Sequence, residues 1–101
     1  MTSRLKLHDE LCSILGSRYV YFQPPSSKKM EYPAIVYSLK TIETNHANNG
    51  VYHSQAAYEL TLIDKNPDSV YIIPILRLPM CQFDRFYTAD NLNHWTFTIY
   101  Y

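Results

Sequence analysis

Two strand-like runs flank the hexapeptide NHANNG (Asn45–Gly50), and together they commit nearly a third of the 101 residues to one long hairpin. The first run, Ala34–Thr44, alternates Ile35, Tyr37 and Leu39 on one face against Val36 and Ile42 on the other. The second, Val51–Asp64, alternates Tyr58, Leu60 and Leu62 against Glu59, Thr61 and Ile63. Period two is the mark of a strand, and the Asn- and Gly-rich connection tolerates the positive φ of a tight turn. The tip side, Thr41 to Gln55, is mostly polar, so the hairpin is longer than a core requires. A projecting β-arm is expected there, a candidate for contact with another subunit through Asn45, Asn48, Asn49 and Tyr52.

The remaining segments supply partners for the hairpin. Thr2 or Ser3 can cap a first helix whose Leu7, Leu11, Ile14 and Leu15 form one buried face, and Gly16 is a natural stop. Tyr19–Phe22 reads as a short strand ended by Pro24 and Pro25, which cannot continue a ladder. In DKNPDS (Asp64–Ser69) a second helix is expected to begin with Asn66 as N-cap and Val70, Ile73 and Leu76 as its inner stripe. Pro74 removes a donor inside that helix, so it either starts late or kinks. Met80–Tyr87 and Asn93–Tyr101 read as strands, the last with Trp95, Phe97, Ile99 and Tyr101 on one face. The predicted fold is α+β: a mainly antiparallel sheet with a long β-hairpin and two helices packed on one face.

Length and charge bound the rest. A chain of 101 residues builds one domain, spanning residues 1–101, and cannot bury two cores. Nine basic residues balance nine acidic ones, so no global field favours nucleic acid or an anionic membrane. No apolar run is long enough to span a bilayer, and no signal-peptide stretch opens the chain, so a reducing cytoplasm is expected. Cys12 and Cys81 show no disulfide framework and read as buried thiols. Ten tyrosines against four phenylalanines and one tryptophan suit half-buried surfaces and protein interfaces better than a dry core.

Candidate chemistry is thin. His8 and Cys12 share a helical face four residues apart, but two ligands are not a metal site. Cys81, His94 and Asp84 or Asp90 form a nucleophile set on paper only. With two glycines in the chain there is no glycine-rich oxyanion or phosphate loop. Tyr19, Tyr21, Tyr37 and Tyr58 could stack bases, against which the charge balance argues. No enzyme activity, cofactor or metal is expected, and a contact role remains.

The segment FDRFYTADNLNH (Phe83–His94) packs aromatic, acidic, basic and amide side chains together. With YFQPP (Tyr21–Pro25), YPAIVY (Tyr32–Tyr37) and IDKNPDS (Ile63–Ser69), in this order and over nearly the whole chain, it resembles a group of small proteins of tailed bacteriophages and prophages. These belong to the structural genes of long non-contractile tails, near the head-to-tail joint. The resemblance implies a tail terminator, also called a tail completion or tail-to-head joining protein. Such a protein forms a ring, commonly a hexamer, on the last ring of the tail tube, stops tube growth and presents a surface to the head connector.

The implied partners are further copies of the chain, the major tail tube protein and a head-closure or connector protein, with no membrane. DNA would pass through the ring without specific binding, past a neutral or acidic lining that includes Glu43 or Glu59. The implied location is the virion tail or neck, after assembly in the host cytoplasm. The chain is short for a terminator and Pro74 truncates its second helix, so a head-closure or neck adaptor at the same joint is the alternative. In the ring, Asp84, Arg85 and Asp90 are expected to make directional polar contacts, with Phe86 and Tyr87 as anchors. The competing reading gives Asp90, Asn91 and Asn93 to the turn before the last strand, with Phe83 and Phe86 in core or boundary positions.

Overall fold

The computed structural model describes the backbone of residues 2–47 and 50–101, and the side chains of these except residues 2, 3, 44–47 and 50–54. The first helix, α1, spans Thr2–Leu15; the capping expected of the Thr2 or Ser3 side chain lies outside the described residues. Leu7, Leu11 and Leu15 recur every four residues on one side, and all three are buried. Removing each from water contributes roughly 2 kcal/mol. Gly16 ends the helix at φ 71°, its N–H donating to the carbonyl of Cys12 at 2.9 Å. A Cβ added at Gly16 would meet nothing within 4 Å, so only the left-handed backbone opposes a side chain there. Gly16→Ala should therefore destabilise by about 1 kcal/mol, read as a lower urea midpoint at an unchanged slope. A neutral result would mean that the helix end does not need the left-handed turn.

Beyond α1 the chain forms β1 (Val20–Phe22), β2 (Ala34–Ala47), β3 (Gly50–Asp64), α2 (Ile72–Leu76), β4 (Cys81–Ala89) and β5 (Leu92–Tyr100). The five strands make one sheet in the order β1-β2-β3-β5-β4. β1 runs parallel to β2, and every other pair is antiparallel. β4 therefore runs parallel to β3 with β5 inserted between them, and α2 lies on the connection. This is the expected α+β architecture with a mainly antiparallel sheet and a long hairpin.

Register explains the core. Directly opposed residues point to the same face, and three rows cross the sheet on the helix side. They are Ile35, Leu62, Trp95 and Phe86; Tyr37, Leu60, Phe97 and Phe83; and Leu39, Tyr58, Ile99 and Cys81. The middle of each row is buried under Leu7, Leu11 and Leu15 of α1 and Ile75 of α2, which join one cluster with it. Ile35 and Tyr37 at the β2 ends are buried too, but three other row ends are not covered: Leu39, Phe83 and Phe86 remain 43%, 44% and 49% exposed. The helices are too short to roof the whole sheet.

α2 differs from expectation in phase. The Asp64 carboxylate accepts the N–H of Asn66 at 3.1 Å, and the Asn66 side chain accepts that of Asp68 at 3.0 Å. Asn66 thus builds a turn instead of capping a helix, and the helix begins late, at Ile72. Pro74 then falls in the first turn, where a missing N–H breaks no helical bond. The late start rotates the pattern, so Ile75 is buried while Val70, Ile73 and Leu76, expected inside, are 72%, 54% and 37% exposed. Among the described residues no helix is long and apolar enough to cross a membrane.

Candidate assembly interface

The hairpin outruns its neighbours. β1 pairs with β2 only at Ile35, Val36 and Tyr37, and β5 pairs with β3 no further than Ala57. Ala56 still accepts the N–H of Tyr101 at 3.0 Å, but beyond the pair Ile42↔Ala56, out to Ala47↔Gly50, the two strands pair in the ladder only with each other. At about 3.3 Å per residue that arm reaches roughly 20 Å, and the molecule is accordingly long, 51 × 25 × 23 Å. A two-stranded ribbon is marginal in water, and both outer edges of this one carry unpaired backbone groups. Asn45 and Tyr52 belong to the arm's backbone. Their side chains, and Asn48 and Asn49 altogether, lie outside the described residues.

A β-bulge reshapes the arm's base. Lys40 is the extra residue between the pairs Leu39↔Tyr58 and Thr41↔Ala57. The extra residue brings Ile42 onto the face of Leu39 and the core, correcting the expectation that Ile42 points away with Val36. Ile42, 53% exposed, lines with Arg4, Phe22, Leu39, Ala56 and Tyr58 a shallow, largely apolar concavity of about 220 Å³. The Arg4 guanidinium sits over the Phe22 ring, 4.4 Å from its centre.

The segment from Phe83 to His94 is a second hairpin, β4 into β5. Asp90 and Asn91 take φ of 54° and 62° between the paired Ala89 and Leu92, the backbone of a two-residue primed turn. Phe86 points to the helix side and rests against Trp95, with ring centres 5.4 Å apart. Tyr87 points to the opposite, open face and stacks on His94 at 4.6 Å and 13°, with the Arg85 guanidinium 5.2 Å from its ring centre. Asp84, Arg85 and Tyr87 thus share the open face, while Phe86 lies on the other and Asp90 lies at the turn. Asp90 and Asn91 there border an open groove of about 530 Å³ with Glu31, Tyr32, Lys65 and Leu92. By register, this groove sits at the end of the sheet opposite the arm.

The open face is polar and internally linked. Asp84 is the extra residue of a bulge in β4, as Lys40 is in β2. Both reach Thr98 in β5: its hydroxyl donates to the Asp84 carboxylate at 2.6 Å and accepts from Lys40 Nζ at 3.2 Å. Glu59 lies opposite Thr98, and Glu43 accepts the hydroxyl of Tyr100 at 3.4 Å. Glu43 and Glu59 therefore occupy the same open face as Asp84. Nothing in the sequence period announced the two bulges, and without them neither Lys40 nor Asp84 would meet Thr98.

The paper constellations for chemistry separate in space. Cys81 pairs with Ile99 on the helix side, whereas His94 pairs with Tyr87 on the open face at the far end of β4. Burial, reinforced by the Asp84 carboxylate, pushes the Cys81 thiol up to about 11 from 9.0. Alkylation of Cys81 by iodoacetamide should stay slow at pH 8 and accelerate only toward pH 11, which mass spectrometry of a pH series would read. Between those values the folded thiol keeps a proton that the unfolded chain has lost, so the Cys81 contribution to stability falls as pH rises through the window. Fast labelling at pH 8 would contradict this burial. His8 engages the Tyr37 hydroxyl at 2.8 Å instead of sharing a ligand with Cys12. Among the described residues no group of three His, Cys, Asp or Glu side chains could hold a metal ion.

Comparison with protein-family models, with curated proteins and with solved structures returns no significant match.

Proposed function

We propose that the protein is a structural subunit of a phage tail, forming a ring that caps the tail tube, ends its growth and joins it to the head connector. The observation that carries this reading is the two-stranded arm that leaves the sheet at one end while the groove beside Asp90 occupies the other. A subunit stacked between two different proteins needs distinct axial ends, and a ring needs two different lateral faces as well. The resemblance of YFQPP, YPAIVY, IDKNPDS and FDRFYTADNLNH to tail-joint proteins supplies the identity of the neighbours. The mechanism is association, with no chemical step.

In this reading the helix-free face of the sheet lines the lumen. Glu43, Glu59 and Asp84 balance Lys40 and Arg85 there. Each phosphate neutralised by Lys or Arg adds affinity, so a lining without a basic excess lets a genome slide without sticking. The arm, with Asn45, Asn48, Asn49 and Tyr52, meets the tube or the adjacent ring.

The test is the mass of the purified protein alone and mixed with polymerised tail-tube protein, followed by imaging of the tube ends. Rings on one end of the tubes are the expected outcome. The five-residue α2 favours a second reading, a neck adaptor at the same joint. Binding to a head connector with indifference to tubes would select it. A chain that binds neither sinks both.

A further inference from the structure

The exposed large apolar side chains are not scattered over the molecule. Among the described residues none of them belongs to β3 or β5. One group, Leu5, Tyr19, Leu39 and Ile42, lies on α1, just before β1, and on β2. The other lies on α2, β4 and the chain between and before them, with Val70, Ile73, Met80, Phe83 and Phe86 among its members. The strand order β1-β2-β3-β5-β4 sets these groups at opposite edges of the sheet. The late start of α2 turns an amphipathic stripe outward, and Met80, with φ of 59° at the entry to β4, is 63% exposed. Both devices place apolar area where, among the described residues, no element covers it.

Charge divides along the same line. Residues 1–47, which hold α1, β1 and β2, carry six Lys or Arg against four Asp or Glu. Residues 48–101, which hold β3, α2, β4 and β5, carry three against five. The overall balance therefore conceals two halves of opposite sign, each carrying one of the apolar edges. Joining like edges would set basic on basic or acidic on acidic, whereas joining unlike edges pairs opposite fields over apolar area. Apolar area rimmed by complementary charge is the anatomy of a protein interface.

We propose that the chain associates with itself head to tail, the α1–β1–β2 edge of one copy seating on the α2–β4 edge of the next. The concavity beside Ile42 is then covered by the next copy's α2 and β4. Such a contact is heterologous, so it propagates until its rotation closes a ring. The inference deepens the ring reading by naming its lateral contacts, and it rests on that reading only for closure.

The experiment uses the full chain and two variants, Ile42→Glu on one edge and Ile73→Glu on the other, in sedimentation up to millimolar protein. Each side chain is more than half exposed, so both variants should fold, which circular dichroism checks. Leu5→Glu and Val70→Glu serve if either does not. Burying a carboxylate in an apolar contact should weaken association about a hundredfold. Wild type is expected to oligomerise and each variant to be monomeric. The decisive result is the mixture: each variant keeps one intact edge, and the two edges are complementary, so the mixed variants should form a dimer and stop there.

A wild-type monomer at all concentrations would overturn the proposal. So would a variant that still dimerises with itself, since that requires like edges to meet, or a mixture that stays monomeric, since that denies that the two intact edges are complementary. Oligomers that follow this pattern yet leave tail tubes uncapped would remove the tail reading and keep the edges. Tube-capping rings indifferent to both substitutions would do the reverse.

Discussion

On the proposed tail reading, replacing residues 43–55 with Asn-Gly should leave a folded protein that no longer caps tail tubes. Ile42 and Ala56 face each other in the ladder, so a two-residue primed turn can close β2 onto β3 at that point. Among the described residues no member of the buried core lies between Tyr37 and Ala56, and the only described side-chain hydrogen bond made by the excised residues is the exposed one from Tyr100 to Glu43. The melting temperature should therefore move by only about 5 °C or less, the equivalent of roughly 1 kcal/mol or less in a domain of this size. What disappears is an arm with unpaired edges and mostly polar side chains, which contributes little to this chain alone. Electron microscopy of tube ends with the shortened protein, at concentrations where the full chain caps them, reads the result. Undiminished capping would assign the axial contact to the opposite end, around Asp90.

The second large effect is on stability. Phe97 is fully buried and stands at the middle of a row, between Leu60 of β3 and Phe83 of β4, whose ring meets it edge-on with centres 5.6 Å apart. Phe97→Ala removes a large side chain from the layer between sheet and helices, where partial collapse cannot refill the space, at a cost of about 3–5 kcal/mol. Against a total stability of about 5–15 kcal/mol, that brings a small domain near its limit. Its melting temperature should fall by roughly 15–30 °C. Phe83→Ala provides the contrast, since a ring already 44% exposed should cost less than half as much. Equal effects from the two would mean that the helices cover β4 as fully as β5.

The two predictions use the same division of the sheet. Its centre is a packed layer that the chain completes by itself, and its extensions and edges are not completed by anything in the chain. The proposed ring component needs both parts, because the centre must hold each subunit while the edges find their partners.

Sequence reading located the helix face Leu7, Leu11 and Leu15, the stop at Gly16, the alternation of β3 and β5, and the excess length of the hairpin. Each is a local signal: a period of 3.6 or 2, a residue that tolerates positive φ, or a polar stretch outlasting an apolar one. Failures of that reading have one origin. A single added residue at Lys40 reverses the side chains after it, and a bulge leaves no mark in composition or period. The late start of α2 has the same effect on a helix, since shifting the first turn past DKNPDS rotates Val70, Ile73 and Leu76 outward. The Phe83–His94 segment was ambiguous for a related reason. Its Asp and Asn residues suit a turn and a contact equally, and the positive φ of Asp90 and Asn91 shows that the turn uses them.

The sequence by itself determined the elements, the buried faces of α1, β3 and β5 and the class of fold, because periodicity and turn chemistry act over a few residues. Tertiary structure decided the strand order, the meeting of Lys40, Asp84 and Thr98, and the placement of exposed apolar side chains at two opposite edges. Those depend on which strand lies beside which, and they are set by register that joins distant residues such as Lys40 and Thr98, 58 residues apart in the chain.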